Sequence, residues 1–130
     1  MTKKRILVVD DEPDMVEMLK LILESASYEV LTAYNGQEGI EKARAARPDA
    51  IILDLMMPLK DGFQACKELK GDPATAAIPV LVLTAISEKL SHTKYAKSMG
   101  LELEAEDYID KPVDANLLLE RLEKLLRRGA

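Results

Sequence analysis

The chain has 130 residues, one cysteine, 48% hydrophobic content and a formal net charge of −5. That length suits one domain with its own core, and a lone thiol excludes an internal disulfide framework. The apolar run after the basic start Met1-Thr2-Lys3-Lys4-Arg5 is only Ile6 to Val9, too short for a secretory signal or a membrane span, so a cytoplasmic protein without membrane contact is expected.

Ile6-Leu7-Val8-Val9 ends at Asp10 and has the all-apolar character of a strand buried on both faces of a parallel sheet. Pro13 suits a first helical position and opens a helix carrying Met15, Val16, Met18, Leu19, Leu21, Ile22 and Leu23 to about Ser25. Asp11 or Glu12 can cap that helix or complement its dipole. Tyr28 to Ala33 reads as a second strand and Asn35-Gly36 as a turn. Gln37 to Arg47 follows as an amphipathic helix with Ile40, Ala43 and Ala46 inward, stopped by Pro48.

The unit then repeats. Ala50 to Leu53 is a third apolar strand ending at Asp54, followed by a loop with Pro58 and Asp61-Gly62 and a helix from about Phe63 to Lys70. Pro79 to Leu83 is a strand ending at Thr84, and Ser87 to Met99 a helix closed by Gly100. Asp107 to Asp110 is a short fifth strand ending at Lys111-Pro112. The last helix runs from its cap, Asp114, to about Arg128, with Leu118, Leu122 and Leu125 on one face. Strand and helix alternate throughout, which predicts a single α/β domain over 1–130 with a parallel sheet. Lys and Arg are scattered, apart from Lys3-Lys4-Arg5 and Arg127-Arg128, and there is no Trp and one Phe. Direct binding of nucleic acid is therefore not expected.

Four strands end in polar residues: Asp10-Asp11, Asp54, Thr84 and Lys111. Ligands of open α/β sheets bind in the crevice at the carboxyl ends of the strands. Taken singly, each residue has an ordinary explanation: a helix cap, a loop brace, a strand threonine, a turn lysine. Together they put several carboxylates in one crevice, where they repel unless a cation neutralises them. Mg2+ suits such a site, being a hard cation held by a few carboxylates and phosphate oxygens. A metal beside a carboxylate points to phosphoryl transfer. The central carboxylate would be the nucleophile, with Lys111 and Thr84 supplying a cation and a hydroxyl to the remaining oxygens.

These segments resemble the receiver domains of bacterial response regulators from Ile6 to about Leu126. The resemblance lies in Ile6-Leu-Val-Val-Asp-Asp-Glu-Pro13, Ile51-Ile-Leu-Asp-Leu-Met-Met-Pro58, Asp61-Gly62, Val82-Leu-Thr-Ala85 and Tyr108-Ile-Asp-Lys-Pro112. It implies a flavodoxin-like (βα)5 three-layer sandwich with sheet order 2-1-3-4-5. It further implies that Asp54 accepts a phosphoryl group from a histidine kinase or a histidine phosphotransfer protein. Asp10, Asp11 and Asp54, with the backbone carbonyl of Met56, would hold Mg2+. Lys111 would pair with a phosphoryl oxygen, Thr84 and Tyr108 would form the switch pair, and Ala85 would leave room beside the incoming group. The Lys111–Pro112 bond is expected to be cis, which proline makes inexpensive. The helix over 87–99, the fifth strand and the last helix would form the output face for a downstream protein, the chain being a monomer or weak dimer.

Two departures stand out. Gly100 and Tyr108 are eight apart, further than the resemblance implies, which puts an extended segment, 100–106, beside the output face. Met56 and Ile86 are apolar where the resemblance places the path of the hydrolytic water, which implies slow self-dephosphorylation. A phosphatase of the haloacid dehalogenase type would need Asp-x-Asp where this chain has Asp10-Asp11-Glu12. A flavin module would need a phosphate loop rich in Gly or Ser/Thr after the first strand. A receiver working without phosphorylation is disfavoured because the whole acceptor set is present. Cys66 reads as a small packing residue, His92 as a surface residue, Glu102, Glu104 and Glu106 as a solvated edge, and Met56-Met57 as loop and core.

Overall fold

Apolar runs of four or five residues form strands here because helices cover them on both faces, which leaves no place for a polar side chain along the strand. The computed structural model describes residues 3–55, 62–84 and 105–128. The elements are β1 (Arg5–Val9), α1 (Pro13–Ser25), β2 (Glu29–Ala33), α2 (Gly36–Ala46), β3 (Ala50–Asp54), α3 (Gly62–Gly71), β4 (Val80–Thr84), β5 (Asp107–Asp110) and α4 (Ala115–Arg128). The helix expected over 87–99 lies outside the described residues. The five strands are parallel in the order β2-β1-β3-β4-β5, the flavodoxin-like arrangement.

Alternation along each strand divides the core into two layers. Leu7, Val9, Ile51, Leu53, Val80 and Val82 face one side, where Ile40 and Ala43 of α2 and Ala65, Cys66 and Leu69 of α3 pack on them. Ile6, Val8, Ile52, Leu81 and Leu83 face the other, against Val16, Leu19 and Leu23 of α1 and Leu118, Leu122 and Leu125 of α4. Cys66 is buried among them, as its packing role requires.

Caps define the helix starts. The Asn35 side chain accepts from Glu38 N–H at 2.8 Å and the Glu38 carboxylate accepts from Tyr34 N–H at 2.8 Å, so the expected turn is the start of α2. Asp114 caps α4 by accepting from Leu117 N–H at 2.9 Å. Glu12 occupies the N-cap of α1, but its side chain makes no capping hydrogen bond.

The segment before β5 departs from the expected solvated edge. Lys70, its side chain only 6% exposed, donates to the carbonyls of Ala76 and Ile78 at 3.1 and 2.7 Å and pairs with Glu106 at 2.9 Å. The second oxygen of Glu106 accepts from Val80 N–H at 2.7 Å. One carboxylate thus ties the end of α3 to the starts of β4 and β5. Periodicity could not reveal this, because the partners are 36 and 26 residues away.

Gly62 places α3 against the end of β3. A methyl group there would lie within 2.6 Å of the Leu55 carbonyl oxygen and drive into the Asp54 carbonyl oxygen and the Leu55 Cα. The obstacle is backbone, which cannot rotate away. Gly62→Ala should therefore destabilise the protein by about 1–3 kcal/mol, measured by urea unfolding; an unchanged midpoint would refute this contact. Ile52→Ala in the fully buried β3 should cost about 2–5 kcal/mol. The same truncation at Leu21, 61% exposed, should stay within about 0.5 kcal/mol, and equal losses at the two positions would contradict the layering.

Candidate functional site

Strand register brings the polar ends together. Val9 pairs with Ala33 on one side and Leu53 on the other, so Asp10 and Asp54 each follow or end adjacent strands at one level. Asp54 pairs with Leu83, and Thr84 with Asp110, which carries the same edge across to Lys111. The ladder extends just past the strands: Asp10 N–H donates to Ala33 O at 3.1 Å, Leu55 N–H to Leu83 O at 2.9 Å and Lys111 N–H to Thr84 O at 2.8 Å. These bonds hold the backbone of the site on the sheet rather than on loops, so its side chains start from rigid positions.

One carboxylate oxygen from each of Asp10, Asp11 and Asp54 lies within 4.8 Å of the others. Asp10 and Asp54 are buried, and so is Thr84 at the end of β4. Lys111 reaches in with its Nζ 3.3 Å from Asp54 and 3.9 Å from Asp10. Asp10 Oδ1 accepts from Glu12 N–H at 3.0 Å, but its Oδ2 is buried without a hydrogen-bond partner. Burial pushes the Asp10 carboxyl from its ordinary 3.8 up to about 6. The Glu12 N–H opposes that rise, the Asp54 charge adds to it, and the Lys111 ammonium works against it.

A hard divalent cation fits this donor set. Three carboxylate oxygens converge, Asp10 Oδ2 is buried without a hydrogen bond, and a single ammonium among the described contacts does not balance the three acids. Met56 and Ala85 lie outside the described residues. The Lys111–Pro112 peptide bond is cis.

Tyr108 sits two residues before the site's edge of β5, half-buried, with its side chain packed against the α2–α3 layer of the core. Burial pushes its phenol above the ordinary value. Arg121 of α4 pairs with Asp107 at 2.8 Å and donates to Tyr108 O at 3.3 Å, which ties α4 to the strand that carries Tyr108. Sequence reasoning missed Glu12 as a neighbour of the site: its carboxylate is 3.9 Å from Lys111 Nζ. The only signal was its place directly after the acidic pair.

A family model described as the response regulator receiver domain matches residues 6–123. The chain is 42% identical over 97% of its length to the alkaline phosphatase synthesis transcriptional regulatory protein PhoP of Bacillus subtilis, of which it covers 50%. It is 38% identical over 94% of its length to protein PilH of Pseudomonas aeruginosa, covering 97% of that protein. The chain thus spans about half the length of the first curated relatives it matches and nearly all of PilH. Among solved structures, the receiver domain of the sensor histidine kinase PA1611 from Pseudomonas aeruginosa, with a magnesium ion coordinated in its active-site cleft, superposes with a TM-score of 0.84. That match has 25% identity and covers 96% of this chain and 98% of that one. No helix among the described residues is long and apolar enough to cross a membrane. Family match, sheet order and acidic crevice agree: the chain belongs to the response regulator receiver domain family, the signalling switches of two-component systems.

Proposed function

We propose that Asp54 is the phosphoacceptor of a phosphorelay and that its phosphorylation switches a protein-binding face. The observation that carries this reading is the convergence of Asp10, Asp11 and Asp54 with the Lys111 ammonium 3.3 Å from Asp54. A carboxylate oxygen of Asp54 attacks the phosphorus of a phosphohistidine on a kinase or phosphotransfer protein. The P–N bond breaks, and its electron pair leaves with the imidazole nitrogen. Mg2+ held by Asp10, Asp11 and Asp54, with the Met56 carbonyl, would neutralise charge on the phosphoryl oxygens.

The chain's own groups do the rest. Lys111 withdraws from its ion pair with Asp54 to meet a phosphoryl oxygen, and Thr84 donates its hydroxyl to another. Asp54, buried at the end of β3, keeps its attacking oxygen at a fixed place on the sheet edge. The new phosphoryl group carries about −1.5 to −2 charge, which biases Thr84 and Tyr108 between two arrangements. Tyr108, β5 and α4 then present the output face, together with the segment expected as a helix over 87–99. The partners are a phosphodonor protein and a downstream protein target, the setting the cytoplasm and the chain a monomer or weak dimer.

Incubation with acetyl phosphate and Mg2+ should add one phosphoryl group by intact mass, and neither Asp54→Ala nor metal-free protein should gain it. The label should decay slowly once the phosphodonor is removed. Labelling of Asp54→Ala to the wild-type extent would overturn the assignment.

Asp10 makes the metal-free protein pH-sensitive. Its folded-state pKa of about 6 exceeds the ordinary 3.8, so the protonated carboxyl favours the fold. That contribution is complete below about pH 3.8 and is lost as pH rises through about 6. In EDTA at about pH 7.5, Asp10→Asn should therefore unfold at higher urea than wild type, with a smaller gain near pH 5. A gain that is absent or independent of pH would show that burial of this charge carries no penalty.

A further inference from the structure

Among the described residues, the Glu12 side chain has one ion-pair partner, Lys111. It stands at the N-cap of α1, where a side-chain oxygen ordinarily accepts from the first turn, yet it makes no such bond. Its backbone, by contrast, is held on both sides. The N–H donates to Asp10 Oδ1 at 3.0 Å, and the carbonyl accepts from Val16 N–H at 3.0 Å. From this fixed post the side chain, 65% exposed, reaches to 3.9 Å from Lys111 Nζ, as close as Asp10 comes. It also lines the open cavity beside the acidic crevice with Asp11, Asp14 and Met15. The Lys111 ammonium therefore lies 3.9, 3.3 and 3.9 Å from Asp10, Asp54 and Glu12, with Asp11 beside them. These four carboxylates, with Lys111 and a divalent cation, would together keep one negative charge in excess.

We propose that Glu12 is a specificity-determining residue that selects phosphodonors by charge. This inference rests on the reading of Asp54 as the phosphoacceptor. A free dianion such as acetyl phosphate meets the Glu12 carboxylate at the mouth of the crevice, and the same carboxylate competes with it for Lys111. A phosphohistidine brings one transferable group on an imidazole, with docking contacts elsewhere to offset the repulsion. Transfer from acetyl phosphate forms an O–P bond to Asp54 and breaks the P–O bond to acetate, which leaves with the electron pair. Phosphoramidate, as its zwitterionic monoanion, carries one negative charge fewer; its P–N bond breaks as the O–P bond to Asp54 forms, and the electron pair leaves on nitrogen as ammonia.

An exposed charge acting over several ångströms changes such a rate by about threefold per unit of charge on the phosphodonor. It is largely screened at high salt.

The test compares wild type, Glu12→Gln and Asp54→Ala at Mg2+ saturating for each protein, the Mg2+ dissociation constants being measured separately by calorimetry. Initial labelling rates are read by intact mass with acetyl phosphate and with phosphoramidate, at about 20 mM and about 0.5 M ionic strength. Glu12→Gln should label about ninefold faster with acetyl phosphate at low salt and about threefold faster with phosphoramidate, and both gains should shrink at high salt. A purely structural role for Glu12 would give no such dependence on salt or phosphodonor charge. Equal rates in wild type and Glu12→Gln, or a difference unaffected by salt, would overturn the inference while leaving Asp54 as acceptor. Absence of Asp54-dependent labelling in the wild-type protein would overturn both.

Discussion

Two carboxylates, Asp10 and Asp54, lie almost wholly out of water at the ends of adjacent strands, with a third, Asp11, beside them. Burial and the neighbouring Asp54 charge oppose ionisation of Asp10, and the Glu12 N–H and the Lys111 ammonium work the other way. The rest of the structure answers to this local conflict. The sheet supplies rigid positions from which the carboxylates cannot splay apart, and Lys111 follows a strand that ends at the same level. The crevice that results favours a cation, which would relieve the excess of negative charge among these groups.

That arrangement depends on contacts far from the crevice. Gly62 lets α3 start directly against the backbone of Asp54 and Leu55, which leaves Asp54 little freedom to shift. At the opposite edge of the sheet, the Lys70–Glu106 pair anchors the return of the chain into β5, two residues before Tyr108. The chain therefore enters β5 through a fixed point at Glu106. Extra length before that point need not disturb the register that aligns Thr84 with Asp110 and so places Lys111. Arg121 fastens the other flank of the strand to α4. Tyr108 is thus held between two anchored ends, with its ring against the α2–α3 layer.

Much of the site was legible because its residues sit at strand ends, where an apolar run gives way to a charge. Runs such as Ile6–Val9 and Ala50–Leu53 have one physical explanation in a chain of this length, and the polar residue after each falls on the crevice. Glu106 and Glu12 were not legible. Each is an acidic residue in a polar stretch, and only a partner distant in sequence distinguishes it from its solvated neighbours. Glu106 was read as a solvated edge for that reason. The same holds for the cap of α1, where composition suggested Asp11 or Glu12 and the structure shows the Glu12 side chain turned toward Lys111 instead.

By itself, then, the sequence determined the alternation of strand and helix, the two-sided burial of the central strands and the identity of the residues at their ends, because hydrophobic periodicity and local turn chemistry act over a few residues. The folded chain settles which carboxylate oxygen is buried without a hydrogen bond, how near Lys111 comes to each acid, and which surface glutamates are tied in. These depend on distances between residues brought together by strand order and helix packing, and electrostatic energy varies with such distances and with exclusion of water, neither of which one-dimensional spacing encodes.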